Sequence, residues 1–310
     1  MAFDETLGPV PQDDHVRDVR LPVRLYATPA VHRLVPTPLA LALASRVSSP
    51  EARHGRAFEL QRAEHLMQDL LLHTHRRDEW RELARRNVAE VARLRELFWR
   101  PWLLKHARIE GIEHWHAAHE GGRGCLVVVG HLGGLFGLAA TLANHGLHMY
   151  SVQSSHYWEP MPPGFDGLWI LRLRGYAEWM GPGTAIPDTT RPERLTELLE
   201  ANKTLLIAFD VPGSAATPFL GRSVALTGVP ATLAHRTGVK VLPILPEREG
   251  TRVVVRMQEP IDPTEFRDVR TLRGAIAAVF AKLILEKPWN VDYAWYPSPL
   301  VTEVPPADAG

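Results

Sequence analysis

Between residues 49 and 105, apolar positions recur every three or four residues among Ala, Leu and Arg, the spacing of amphipathic helices. Leu66, Leu70 and Leu71 form one apolar face; Val88, Val91, Leu94 and Leu97 form another. Ser48-Ser49-Pro50-Glu51 reads as a helix start with proline near its first turn. After Ile109-Glu-Gly-Ile-Glu the pattern changes. Short apolar runs at 125–129, 149–152, 204–209, 240–245 and 252–257 read as strands, and helical patterns lie at 135–144, 191–201, 231–237 and 272–285. Strands separated by helices predict an α/β fold: a mixed, largely parallel sheet flanked by helices, with a helical N-terminal region. The expected division is a poorly ordered N-terminus over 1–24, a helical region over 25–105 and an α/β core over 106–310. Ligands of such sheets gather at the carboxyl ends of the strands.

Composition narrows the function. Hydrophobic residues make up 45% and charged residues 23% of the 310, and Lys+Arg 35 cancels Asp+Glu 35. A chain with no net charge is not built for bulk capture of DNA or anionic membrane. The single cysteine, Cys125, rules out an internal disulfide or a multi-Cys metal site, and its apolar run predicts a buried small hydrophobe. Met1-Ala-Phe-Asp-Glu-Thr lacks the features of a signal peptide. The apolar stretch from Leu34 is broken by Pro36 and Pro38 and is too short for a membrane span. The expected location is cytoplasmic. A peripheral contact at the inner membrane face stays open through 34–44 and the cluster of Trp99, Trp102, Leu103 and Leu104. His114, His116 and His119 read as a histidine-rich surface helix, His73 and His75 as exposed, and no metal or other cofactor is expected.

The strand at 125–129 runs into Gly130-His131-Leu132-Gly133-Gly134. Glycines beside the histidine permit a sharp turn and close approach of a substrate at Gly133 and Gly134. The imidazole stands at a strand end and can take a proton near neutral pH, which suits activation of a hydroxyl or amine. Alone, a histidine in such a turn is more often structural than catalytic. The glycines lack the G-x-G-x-x-G order of a dinucleotide loop.

Four blocks in order raise the catalytic reading. They are the run from Ile109 to His131; Phe209-Asp210-Val211-Pro212-Gly213 with Pro218-Phe219-Leu220-Gly221-Arg222; Thr227-Gly228-Val229-Pro230 through Gly238 into Val241-Leu-Pro-Ile-Leu-Pro246; and Glu286-Lys-Pro-Trp-Asn-Val-Asp-Tyr-Ala-Trp295. Together, over about residues 80 to 298, they resemble the lysophospholipid and lipid A-type acyltransferase family, which includes the phosphatidylinositol mannoside acyltransferases. The resemblance implies a glycerolipid acyltransferase-like fold, His131 as general base and an activated acyl donor, acyl-CoA or acyl carrier protein; with an amine acceptor, an aminoacyl-tRNA is also a chemically adequate donor. The resemblance implies a lipid or small-molecule acceptor.

The family pattern His-x-x-x-x-Asp/Glu is broken here. The fifth residue after His131 is Phe136, which cannot accept a hydrogen bond or balance an imidazolium. Three readings follow: another carboxylate, Asp210 first, supports His131; the acceptor is an amine that needs less base assistance, with Phe136 lining its pocket; or the protein binds an acyl or carrier ligand without catalysis. Arg172 and Arg174 alternate with leucines and are candidates for a donor phosphate. Arg222, expected in a loop, and Gly213 are candidates to meet a phosphate or an oxyanion.

Overall fold

The computed structural model describes residues 29–46, 55–153, 185–292 and 300–305. Residues 1–24, the expected helix start at 48–51, and Arg172 and Arg174 lie outside them. The helical region comprises α1 (Pro29–Leu34), α2 (Thr37–Ala44), α3 (Gly55–Leu71) and α4 (Trp80–Phe98). The rest alternates: β1 (Arg108–Glu110), α5 (Ile112–Ala118), β2 (Leu126–Val129), α6 (Leu138–Asn144), β3 (Tyr150–Gln153), β4 (Ala185–Pro187), α7 (Pro192–Glu200), β5 (Leu205–Ala208), β6 (Pro212–Phe219), β7 (Arg222–Leu226), α8 (Val229–Thr237), β8 (Val241–Glu249), β9 (Arg252–Met257) and α9 (Val269–Glu286).

Among the described residues, seven strands form one sheet in the order β1-β9-β8-β2-β5-β3-β4, and β6 and β7 form a separate hairpin. Within the seven, β8 and β9 pair antiparallel and every other neighbouring pair is parallel. The central strands are apolar throughout because both faces of the sheet are covered. Leu126, Val128, Leu205, Ile207, Val241 and Leu245 enter one core, shared with α3, α7, α8 and α9. Their alternates Val127, Val129, Leu206, Leu242 and Ile244 enter the other, with α5, α6 and Cys125. Period-two alternation thus feeds two cores from one run of residues. Helix α4 joins both: Val88 and Val91 pack in the first, Leu94 and Leu97 in the second. Leu66, Leu70 and Leu71 are fully buried, as their spacing predicts. Cys125 is buried too, and desolvation pushes its thiol up to about 12.

The structure corrects the reading in four places. The helical stretch is not continuous, since α3 stops at Leu71 and α4 starts at Trp80 after a short 3-10 turn. The three-residue strands β1 and β4 carry too few residues for a periodic signal. The segment around Arg222 is the β6–β7 hairpin, closed by Leu220 and Gly221 with positive φ of 49° and 81°, as a two-residue hairpin turn requires. Helix α9 begins three residues before its apolar pattern because the Asp268 carboxylate caps it, accepting the Thr271 N–H at 2.8 Å.

Candidate active site

Strands β2 and β5 are parallel neighbours in the register Val129↔Ala208. Two residues beyond those partners come His131 and Asp210, so the sheet delivers both to the same edge, at the carboxyl ends of adjacent strands. The Phe209 N–H donates to the Val129 carbonyl at 2.8 Å, carrying the ladder one step past the strands. Phe209 itself is buried and stacks on Phe280 with ring centroids 4.2 Å apart, which anchors the chain immediately before Asp210.

Asp210 is fully buried and meets His131 twice. Its Oδ2 accepts the His131 backbone N–H at 2.6 Å, and its Oδ1 lies 2.8 Å from His131 Nδ1. A carboxylate only accepts, so Nδ1 carries the proton and Nε2 is left with its lone pair in the neutral ring. The His131 side chain is 13% exposed. Burial pulls its pKa down, but the charge and hydrogen bond of Asp210, together with the charge of Asp292, outweigh that and leave it raised above the ordinary histidine value. The imidazolium is therefore stabilised despite burial.

The glycines after His131 serve the turn in a way the sequence does not reveal. Gly133 has φ +58°, and a Cβ there would collide with the Pro246 carbonyl oxygen on β8. Its N–H donates to the Asn290 carbonyl at 2.7 Å, and the Gly134 N–H donates to Pro246 at 3.3 Å. Both glycine amides are thus taken by the chain's own backbone, which also fills the space on the Cβ side of Gly133.

The other candidates divide. Arg222 opens β7 at the closed end of the hairpin, four residue steps, or about 13 Å of strand, from Leu226, which pairs with Pro212 beside Asp210. Its guanidinium donates to the Asp69 and Val301 carbonyls and lies 3.6 Å from Glu303. It ties α3, the hairpin and the C-terminal segment together. Gly213 is exposed in the bulge between Pro212 and Ala215, three residues from Asp210. Phe136 lies in the 3-10 turn Leu135–Gly137 that leads into α6. His116 is exposed as expected, and His235 and Arg236 are exposed too, whereas His119 is half-buried, with Nε2 2.7 Å from Thr204 Oγ1. Trp99 and Leu104 are buried, so the expected bilayer contact of their cluster does not extend to them.

One neighbour of His131 carries no sequence signal. The Asp292 N–H donates to the His131 carbonyl at 3.0 Å, and its carboxylate lies 3.3 Å from Arg95 on α4. Asp292 falls inside the fourth block of the resemblance, but only the pairing of two distant segments brings it to the histidine.

The fold and the strand-end histidine–aspartate pair define an α/β protein with a polar site at the carboxyl edge of its sheet. The model of the bacterial lipid A biosynthesis acyltransferases matches residues 77–297, and the chain belongs to that family. No curated protein matches the sequence. Among solved structures it is similar to the 1-acyl-sn-glycerophosphate (LPA) acyltransferase PlsC from Thermotoga maritima, with 16% identity and a TM-score of 0.38 over 73% of this chain and 96% of that chain. A likeness of that size carries no weight for the chemistry. The protein is an acyltransferase by family, acting on an acyl donor and an acceptor.

Proposed function

We propose that this acyltransferase moves an acyl or aminoacyl group from an activated carrier to a hydroxyl or amine, with His131 as general base and Asp210 as the carboxylate behind it. The carrier is acyl-CoA, acyl carrier protein or aminoacyl-tRNA. The observation that carries the reading is the double contact of Asp210 with His131, at 2.6 and 2.8 Å. It supplies what Phe136 cannot: an acceptor that fixes the tautomer and balances the imidazolium. His131 Nε2 takes the proton as the acceptor oxygen or nitrogen attacks the acyl carbonyl carbon. The bond from that carbon to the carrier sulfur or oxygen breaks, and the proton passes to the leaving group. Gly213 is a candidate to face the developing oxyanion, and Arg172 and Arg174 are candidates for a donor phosphate.

A lipid acceptor is supported by the outer face of α1 and α2. Leu34 is 83% exposed, and Leu39 and Leu43, one turn apart on α2, are about half exposed. No helix among the described residues is long and apolar enough to cross a membrane. The contact proposed here is therefore peripheral.

The test is consumption of labelled acyl-CoA, acyl carrier protein thioester and aminoacyl-tRNA by the wild-type chain and by His131→Ala. One donor is consumed, and the alanine variant is slower by roughly 10²–10⁴-fold while its circular dichroism is unchanged. Equal rates in a folded variant place the base elsewhere. Stoichiometric donor binding without turnover by the wild type favours the non-catalytic ligand-binding reading.

A further inference from the structure

Asp292 is the antiparallel partner of His131. Leu132 and Val291 form an antiparallel bridge. On one side of it the Asp292 N–H donates to the His131 carbonyl at 3.0 Å, and on the other the Gly133 N–H donates to the Asn290 carbonyl at 2.7 Å. All three contacts share one register, which sets residue 292 directly opposite residue 131. Side chains of directly opposed residues stand on the same face, with Cβ atoms about 4.5–5.5 Å apart. The hydrogen bond that would complete this pair, from the His131 N–H back to the partner strand, is not made, because that amide donates to Asp210 Oδ2. His131 is thus set between two aspartates, one at the end of β5 and one on the C-terminal segment.

That segment is fixed from beneath. Asn87, fully buried on α4, donates through Nδ2 to the Trp289 and Val291 carbonyls at 2.8 and 2.6 Å. Arg95, two turns along the same helix, meets the Asp292 carboxylate, which is 18% exposed, and lies 3.6 Å from buried Glu59 on α3. Among the described residues, Glu247 on β8 also lies against the turn, pairing with Arg256 and Lys287, and the Arg86 guanidinium of α4 stacks over Trp289. Asp292 is therefore held in place but reaches the edge of solvent, and its Arg95 contact leaves part of its charge acting on the imidazole.

We propose that Asp292 is a positioning residue for His131: a second carboxylate, on the cross-strand partner, that orients the ring and stabilises its protonated form where the family's fifth-position acid is replaced by Phe136. The proposal rests on reading His131 as the base. The upward displacement of the His131 pKa, to which Asp292 contributes after Asp210, agrees with the geometry.

The experiment follows the His131 ring resonances by NMR against pH in the full-length wild type, Asp292→Asn, Asp292→Glu and Arg95→Gln. The asparagine variant keeps the backbone hydrogen bond and loses the charge. It is expected to lower the His131 pKa by about half a pH unit or more, with glutamate restoring most of it and Arg95→Gln raising it. The acid limb of kcat/KM moves in the same direction by the same amount, with KM unchanged. A His131 titration that is the same in folded Asp292→Asn as in wild type overturns the proposal. Should that variant not fold, an unshifted titration in Arg95→Gln overturns it as well. If the ring titration shifts while the acid limb stays put, Asp292 does act on His131, and it is the reading of His131 as base that fails.

Discussion

At the scale of single residues, the chemistry turns on what stands next to His131. Counting five positions shows that Phe136 cannot serve as the acid, and strand-end reasoning singles out Asp210 as its substitute. The contact itself follows from the register of β2 and β5. Asp292 could not be read in the same way, because its pairing depends on two segments more than 150 residues apart with no periodic signal in either. The pair also has a consequence for stability. A histidine whose folded pKa is raised adds stability that is fully present below its unfolded value, about 6.5, and is lost as pH rises through the folded value. The gap in unfolding free energy between wild type and His131→Gln, measured by urea denaturation from about pH 6 to about pH 9, should therefore shrink as pH rises. A gap that stays constant or widens shows that the His131–Asp210 contact is not an ion pair in the folded state.

At the scale of elements, legibility followed burial. The five strands read from the sequence lie within a few residues of their observed bounds, because strands covered on both faces leave continuous apolar runs. The β6–β7 hairpin has no sequence signal because Pro-Gly-Ser-Ala-Ala-Thr-Pro-Phe shows neither apolar alternation nor a continuous run, and its first three residues are exposed. Helices α1 and α2 show the limit of the same rule. Their apolar residues divide between Ala40 and Leu41, which are buried, and Leu34, Leu39 and Leu43, which face outward. A helix apolar on both sides is half-explained by its contact with α4. If the outer side meets lipid, the wild type should co-sediment with phosphatidylethanolamine–phosphatidylglycerol vesicles, and Leu39→Glu with Leu43→Glu should cut the bound fraction about tenfold or more. Equal sedimentation of the two proteins would remove this face from the account.

At the scale of the whole molecule, the sheet edge, the Gly-rich turn and the C-terminal segment converge on one histidine. The central parallel strands β2 and β5 carry His131 and Asp210 to a common edge. Strand β8 packs its Pro246 carbonyl beneath the turn, and α4, which spans both cores, holds the segment bearing Asp292. Membership of the lipid A biosynthesis acyltransferase family gives the reaction class. The central claim is that, in a chain without the family's fifth-position acid, His131 and Asp210 act as a unit. Residues that act as a unit are strongly non-additive when removed. The most direct measurement is therefore the rate of donor consumption by wild type, His131→Ala, Asp210→Asn and the double variant, using whichever of the three labelled donors the wild type consumes. Each single variant is expected to lose roughly 10²–10⁴-fold, with the double variant no slower than the slower single. A folded Asp210→Asn at wild-type rate, or losses that multiply in the double variant, would contradict the account.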